Sequence, residues 1–147
     1  MRKYLLLFFL LFNYTFLFSQ QKIKTPLVYL QCKKIDDKSS DELLNCFKIN
    51  FKKDFYKMIG TELRSRNIMT NYHMKAIFLL VFDINGVISI SEFEGSEDTK
   101  DILEKSLIRL NERIFIGRHK IIPAKDNNGN FVEMKVKIPF QYMFVRS

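Results

Sequence analysis

The sequence has few of the residues and patterns that mark an enzyme or a metal site. It contains only two histidines, His73 and His119, and neither lies in a recognisable catalytic motif. Ser89 and Ser91 alternate along a predicted strand, without the strand–turn–helix setting of a nucleophilic serine. The acidic turn Asp126–Asn130 lacks a later glutamate at the spacing of a calcium loop. The sequence therefore predicts no enzymatic activity, no cofactor and no metal site.

The first 20 residues have the organisation of a secretory signal peptide. Arg2 and Lys3 give a positive start, and Tyr4–Phe18 is a Leu- and Phe-rich stretch followed by polar residues. This stretch is short for a membrane span, which needs roughly 20 apolar residues. We therefore expect cleavage near residue 19 or 20 and export to the periplasm or cell envelope. An uncleaved anchor is the alternative.

Positive charge exceeds negative charge, with 24 Lys and Arg against 16 Asp and Glu. Loss of Arg2 and Lys3 with the signal peptide would lower the net charge from +8 to +6. Outside the cytoplasm this balance favours anionic envelope surfaces or acidic partner segments over nucleic acid. A basic surface that only confers solubility is the alternative. The densest basic region is the first predicted helix, and its cations are Lys48, Lys52, Lys53, Lys57, Arg64 and Arg66.

Two cysteines remain after the signal peptide, Cys32 and Cys46. An even pair in an exported chain predicts a disulfide, and metal binding through the two thiols is the weaker reading. The bond would close a loop of about 15 residues, worth about 3 kcal/mol in the chain-entropy model. It would fasten an extended N-terminal segment, residues 21–38, to a domain covering residues 39–147.

Two amphipathic helices are predicted. The first begins after Ser39, which has capping-box spacing to Glu42, and its apolar stripe runs to Ile59. Gly60 is expected to stop or bend this helix. The second follows the polar sequence Gly95–Asp98. Its predicted buried stripe consists of Ile102, Leu103, Ser106, Leu107, Leu110 and Ile114.

Three strands complete the predicted α+β fold. Lys75–Phe82 is apolar at both alternate positions, which indicates a strand buried on both faces or at the centre of a small sheet. Asn85-Gly86 predicts a hairpin to the next strand. Phe131–Phe144 alternates strictly, and Pro139 within it indicates an edge strand. We expect a three-stranded antiparallel sheet with two main helices packed on one face.

Several short motifs also occur in a characteristic order along the chain. They are Pro26 and Tyr29 before Cys32, Asp41-Glu42 before Cys46-Phe47, the hairpin Phe82-Asp83-Ile84-Asn85-Gly86-Val87-Ile88, then Pro123-Ala124-Lys125, Gly129, Ile138-Pro139-Phe140 and Phe144. In order and spacing they resemble the C-terminal domain of the TonB family, in the single-domain form of exported Bacteroidetes proteins. The chain departs from that pattern in lacking a Tyr-Pro and a Gly-basic pair before the first strand, and a Leu-Pro after the second helix.

The resemblance implies a binding module that pairs a partner segment with its edge strand, linked to TonB-dependent transport. The residues implied on that strand are Lys135, Val136, Lys137, Ile138, Gln141 and Tyr142. The partner implied is a protein, such as a segment of an outer-membrane receptor. Two alternatives remain. Lysines and Pro139 are also devices that block strand pairing, and an exported surface or assembly factor could keep the fold without a transport role.

Overall fold

The computed structural model describes residues 23–32, 39–68, 71–116 and 119–144, and the side chains of these residues up to 143. The predicted signal peptide lies outside these ranges. The elements in chain order are β1 (Ile23–Thr25), β2 (Val28–Tyr29), a 3₁₀ turn (Leu30–Cys32), α1 (Ser40–Ser65), β3 (Tyr72–Phe82), β4 (Ile88–Glu94), α2 (Glu97–Arg113), β5 (Ile121–Ile122), β6 (Ala124–Asp126), β7 (Phe131–Val132) and β8 (Met134–Phe144). The α+β class is confirmed. None of the described helices is long and apolar enough to cross a membrane.

The main sheet has three antiparallel strands in the order β4-β3-β8. Even-numbered residues of β3, from Met74 to Phe82, are buried beneath the helices, whereas its odd-numbered residues are exposed or half-buried. The prediction of a central strand is therefore confirmed, but burial on both faces is wrong. Ile77, Leu79 and Val81 keep the apolar pattern on a face that no described element covers.

Helix α1 is continuous over 26 residues. The predicted capping box at its start is present: the Ser39 hydroxyl accepts from the Glu42 N–H at 3.3 Å, and the Glu42 carboxylate accepts from the Ser39 N–H at 2.9 Å. Gly60 does not stop the helix, contrary to one expectation. It is buried, and the nearest atom to a Cβ placed there would be the Tyr142 hydroxyl at 3.5 Å. That distance is an ordinary van der Waals contact, so a Cβ would fit here without a shift of α1 or β8.

Helix α2 packs beside α1 and covers β3 and β4. Its predicted cap, Ser96, accepts from the Thr99 N–H at 3.2 Å. All six residues of the predicted stripe are buried. The Asn111 side chain binds both backbone groups of Ile88, accepting at 2.9 Å and donating at 2.8 Å. This pair of bonds fixes the start of β4 against the helix.

Phenylalanines dominate the core between α1 and the sheet. Phe51 and Phe55 of α1 stack at 5.5 Å, and Phe55 meets Phe78 of β3 at 6.4 Å in an edge-on contact. Phe140 of β8 lies 5.8 Å from Phe78 and 6.2 Å from Phe55. These rings hold α1 over the side of the sheet that carries β8.

The N-terminal segment is part of the fold rather than an appendage. Strand β1 pairs with β6, which in turn pairs with β7, and β2 pairs with β5. Leu27, Val28 and Tyr29 are within the core. The predicted disulfide is present between Cys32 and Cys46, where it joins the 3₁₀ turn to α1. Two small sheets therefore accompany the main one, and the sequence predicted neither.

The final strand is shorter than predicted. Phe131–Val132 belongs to a hairpin with β6, and the chain changes sheets at Glu133 before β8 begins at Met134. The predicted turn at Asp126–Asn130 closes that hairpin. The Asp126 carboxylate accepts from the N–H groups of Asn128 and Asn130 at 2.8 and 2.9 Å, and Gly129 takes a positive φ of 83°.

Candidate partner-binding edge

Strand β8 is the outer strand of the main sheet, as the sequence predicted. It pairs with β3 from Tyr72↔Phe144 to Phe82↔Met134 in a continuous register without a bulge. In an antiparallel ladder, the backbone groups of successive residues point alternately to one neighbour and then to the other. Every second residue of β8 therefore directs its N–H and C=O away from the sheet.

Two hydrogen bonds show whether the odd- or the even-numbered residues of β8 have these outward groups. The Asp83 N–H donates to the Val87 carbonyl at 3.0 Å, so odd-numbered residues of β3 face β4 and even-numbered residues face β8. On β8, the Gln141 carbonyl accepts from the Tyr56 hydroxyl at 3.3 Å instead of from β3. Both observations place the backbone groups of Lys135, Lys137, Pro139 and Gln141 on the open side.

The outward backbone groups of β8 are not all free to pair with a further strand. Pro139 has no N–H to donate, and its position on the open side explains why a proline is tolerated in the strand. The Tyr56 hydroxyl already occupies the Gln141 carbonyl. Lys135 and Lys137 keep both backbone groups for a further strand, and Pro139 keeps its carbonyl. A segment pairing here would be centred on Lys137.

The opposite edge of the sheet is covered at its start and irregular further along. The Asn111 side chain binds the outward backbone groups of Ile88, and the register of β4 against β3 shifts between Leu79 and Leu80. Irregular edges and edges covered by side chains resist strand pairing. Of the two edges, β8 is therefore the more accessible.

The six residues implied by the family resemblance divide between the two faces of the sheet. Lys135, Lys137 and Gln141 are exposed on the outer face, whereas Val136, Ile138 and Tyr142 are half-buried on the helical face. The alternation predicted from the sequence is confirmed. Lys135 lies 3.5 Å from the Glu133 carboxylate, and the Gln141 amide lies 3.2 Å from the His73 Nε2.

An apolar groove, which the sequence did not predict, runs between α1 and β8. It has a volume of about 270 Å³. Its lining residues are Phe47, Lys48, Phe51, Lys52, Phe55, Tyr56, Phe82, Val136, Lys137, Ile138, Pro139 and Phe140. Helical periodicity showed an apolar stripe on α1, but only the separation of helix and strand opens a groove beside it.

An ion cluster centred on the buried Glu62 joins the two helices. The Glu62 side chain is 5 % exposed and accepts from the Arg66 Nε at 2.8 Å and the Arg109 Nε at 3.0 Å. Arg66 also reaches Asp101 at 2.6 Å, and Lys105 reaches Asp101 at 3.2 Å. Burial acts to raise the pKa of Glu62, but the two guanidinium hydrogen bonds outweigh it, so that this pKa is lowered. Opposite charges are paired here, which indicates a structural role.

Tyr29, Asp54 and His119 form a second polar cluster. The His119 Nδ1 lies 2.9 Å from the Asp54 carboxylate. The Tyr29 hydroxyl is buried without a hydrogen-bond partner among the described residues. Burial, and then the nearby Asp54 carboxylate, raise the pKa of Tyr29. The described part of the chain contains no group of three or more His, Cys, Asp or Glu arranged to hold a metal ion.

No protein-family model, curated protein or solved structure matches this chain.

Proposed function

We propose that this protein is an exported binding module that captures an extended segment of another protein as an added strand on β8. The observation that carries the proposal is the open edge of β8 around Lys137, opposite an edge on β4 that is covered at its start. In strand addition, main-chain hydrogen bonds supply the affinity and side-chain contacts supply the choice of partner.

The proposal includes a relationship to the TonB C-terminal domains and export to the periplasm or cell envelope. The motif order in the sequence supports the relationship, and the antiparallel β4-β3-β8 sheet with two helices on one face is consistent with it. The Cys32–Cys46 disulfide supports export, because such bonds persist in oxidising compartments. A partner in an outer-membrane receptor would link the protein to TonB-dependent transport.

The test compares two substitutions at Lys137. In Lys137→Pro the outward N–H is lost but the sheet is spared, because the pairing with β3 uses the neighbouring residues and Val136 is already extended. Lys137→Ala removes the side chain and keeps the N–H. Each protein is produced from the full-length chain, checked by circular dichroism and used to capture partners from solubilised envelope. The captured proteins are identified by mass spectrometry.

We expect a partner retained by the native protein to be retained, more weakly, by Lys137→Ala, which loses one cation, and to be lost with Lys137→Pro. Equal retention by a folded Lys137→Pro would show that the edge is not the site. The exposed lysines of α1 would then favour the alternative of an envelope-surface or assembly factor, in which binding falls with added salt.

A further inference from the structure

The groove between α1 and β8 lies where an added strand would project its side chains. Residues opposite Lys135, Lys137 and Pro139 would form the main-chain hydrogen bonds, and their side chains would point to the outer face. Residues opposite Val136 and Ile138 would point to the helical face. Val136 and Ile138 are both lining residues of the groove. Two alternate side chains of the incoming segment would therefore enter it.

The groove is suited to apolar side chains. Its base is made by phenylalanines of α1, β3 and β8, including Phe51 and Phe82, whose rings lie 5.7 Å apart. The volume of about 270 Å³ is close to the lower end of the roughly 300–1,000 Å³ of ligand pockets. It is a space into which side chains of a docked segment can fit.

Lysines flank the groove on its α1 side. Lys48 and Lys52 line it from α1, whereas Lys137 borders it through its backbone, because the Lys137 side chain lies on the outer face of β8. Lys52 lies 5.4 Å from the centre of the Tyr56 ring, which holds its charge beside the groove. None of the described lining residues is acidic. This asymmetry favours a segment whose charged residues are negative.

Resting on the proposed function, we propose that the partner segment has large apolar residues at two alternate positions and acidic residues next to them. The two apolar side chains fill the groove opposite Val136 and Ile138. The acidic residue between them lies beside Lys137 on the outer face, and an acidic residue further along the helical face meets Lys48 or Lys52. Strand pairing provides the register, and the groove with its lysines provides the choice of sequence.

The test measures peptide binding by fluorescence anisotropy, with protein produced from the full-length chain. The probe is a short labelled peptide in which phenylalanine and valine occupy alternate positions with glutamate between and beside them. One control peptide replaces the glutamates with lysine, and a second replaces the phenylalanine and valine with serine. We expect both controls to bind at least about tenfold more weakly than the probe.

Protein variants locate the charge contact. Lys52→Glu should weaken binding of the probe about fivefold to tenfold, because an attraction becomes a repulsion at a partly exposed site. Lys53→Glu is the matched control, since this neighbouring lysine is exposed on α1 but does not line the groove. It should change binding less than twofold at about physiological salt.

The outcomes separate this inference from the proposed function. If Lys137→Pro abolishes binding but the three peptides bind alike, strand addition holds and the groove does not select the partner. If Lys52→Glu and Lys53→Glu weaken binding equally, the effect is general charge and the inference is overturned. If the protein forms a dimer in sedimentation that Lys137→Pro dissociates, a second copy occupies the edge and the inference is also overturned.

Discussion

Tyr29 is fully buried, and its ring and its hydroxyl have opposite effects on stability. The ring packs 5.4 Å from that of Phe47 at the junction of the N-terminal segment and α1. The hydroxyl lies close enough to the Asp54 carboxylate to have its pKa raised, but makes no hydrogen bond of good geometry among the described residues, and an unpartnered buried polar group costs about 1–3 kcal/mol. The ring thus favours the fold and the oxygen opposes it.

Tyr29→Phe should therefore raise the free energy of unfolding by about 1 kcal/mol, because the ring stays and the desolvated oxygen is removed. Urea unfolding followed by circular dichroism measures this change. Tyr56→Phe is the matched control, since its hydroxyl donates to the Gln141 carbonyl and its removal should cost up to about 1 kcal/mol. A loss of stability in Tyr29→Phe would show that the hydroxyl has a partner in solution.

At the scale of elements, Glu62 connects the two helices through Arg66 of the turn that follows α1 and Arg109 of α2. Because its folded pKa is lowered, its contribution to stability is present above the unfolded value, near 4.5, and is lost as the pH falls through the folded value. Acid should therefore weaken the contact between α1 and α2.

Glu62→Gln should lower the free energy of unfolding at neutral pH by about 1–3 kcal/mol, because two guanidinium groups lose their shared anion. Its stability should also fall less steeply than that of the native protein below pH 4.5. Urea unfolding at a series of pH values gives both results. Glu112→Gln, an exposed change on α2, should leave the curve unaltered. If the free energy of unfolding depended on pH in the same way in Glu62→Gln and in the native protein, the role assigned to Glu62 would be contradicted.

The elements that the sequence predicted well are those with a periodic apolar pattern over many residues or with strong capping or turn residues. Helices α1 and α2 and the hairpin at Gly86 follow from apolar spacing, capping residues and turn residues. The short strands β1, β2, β5, β6 and β7 could not be predicted, because two or three residues carry no periodicity. Gly60 was predicted wrongly for a different reason: buried residues on both sides of it, Ile59 and Leu63, hold α1 against the core, and this packing outweighs the low helix propensity of glycine.

The candidate site was predicted only in part. Strict alternation and Pro139 identified β8 as an edge strand, and both are local signals. The groove depends on how far α1 lies from β8, and the obstruction of β4 depends on Asn111, which is distant in sequence from Ile88. Neither leaves a pattern in a single sequence. The apolar outer residues of β3 even gave a false signal for burial on both faces.

At the scale of the whole molecule, the disulfide fastens to α1 an N-terminal segment that itself pairs with strands from the C-terminal part of the chain. Cys32 follows β2, which pairs with β5, while β1 pairs with β6, so the N-terminal segment bridges α1 and the C-terminal hairpin. The bond links residues 14 positions apart. Near it, the Asn50 amide donates to the Cys46 carbonyl at 2.9 Å. The constraint therefore reaches well beyond the loop that it closes.

Replacing both cysteines with alanine should lower the free energy of unfolding by about 3 kcal/mol, the chain-entropy value for a loop of this length. Urea unfolding of the double variant and of the native protein, with and without a reducing agent, measures the difference. Reduction should bring the native protein to the stability of the variant and leave the variant unchanged. Hydrogen exchange should increase first at β1 and β2, because these strands are only two or three residues long and directly precede Cys32, which the bond ties to α1. Equal stability of the oxidised native protein and the variant would mean that the pairing of β1 and β2 alone holds the segment in place.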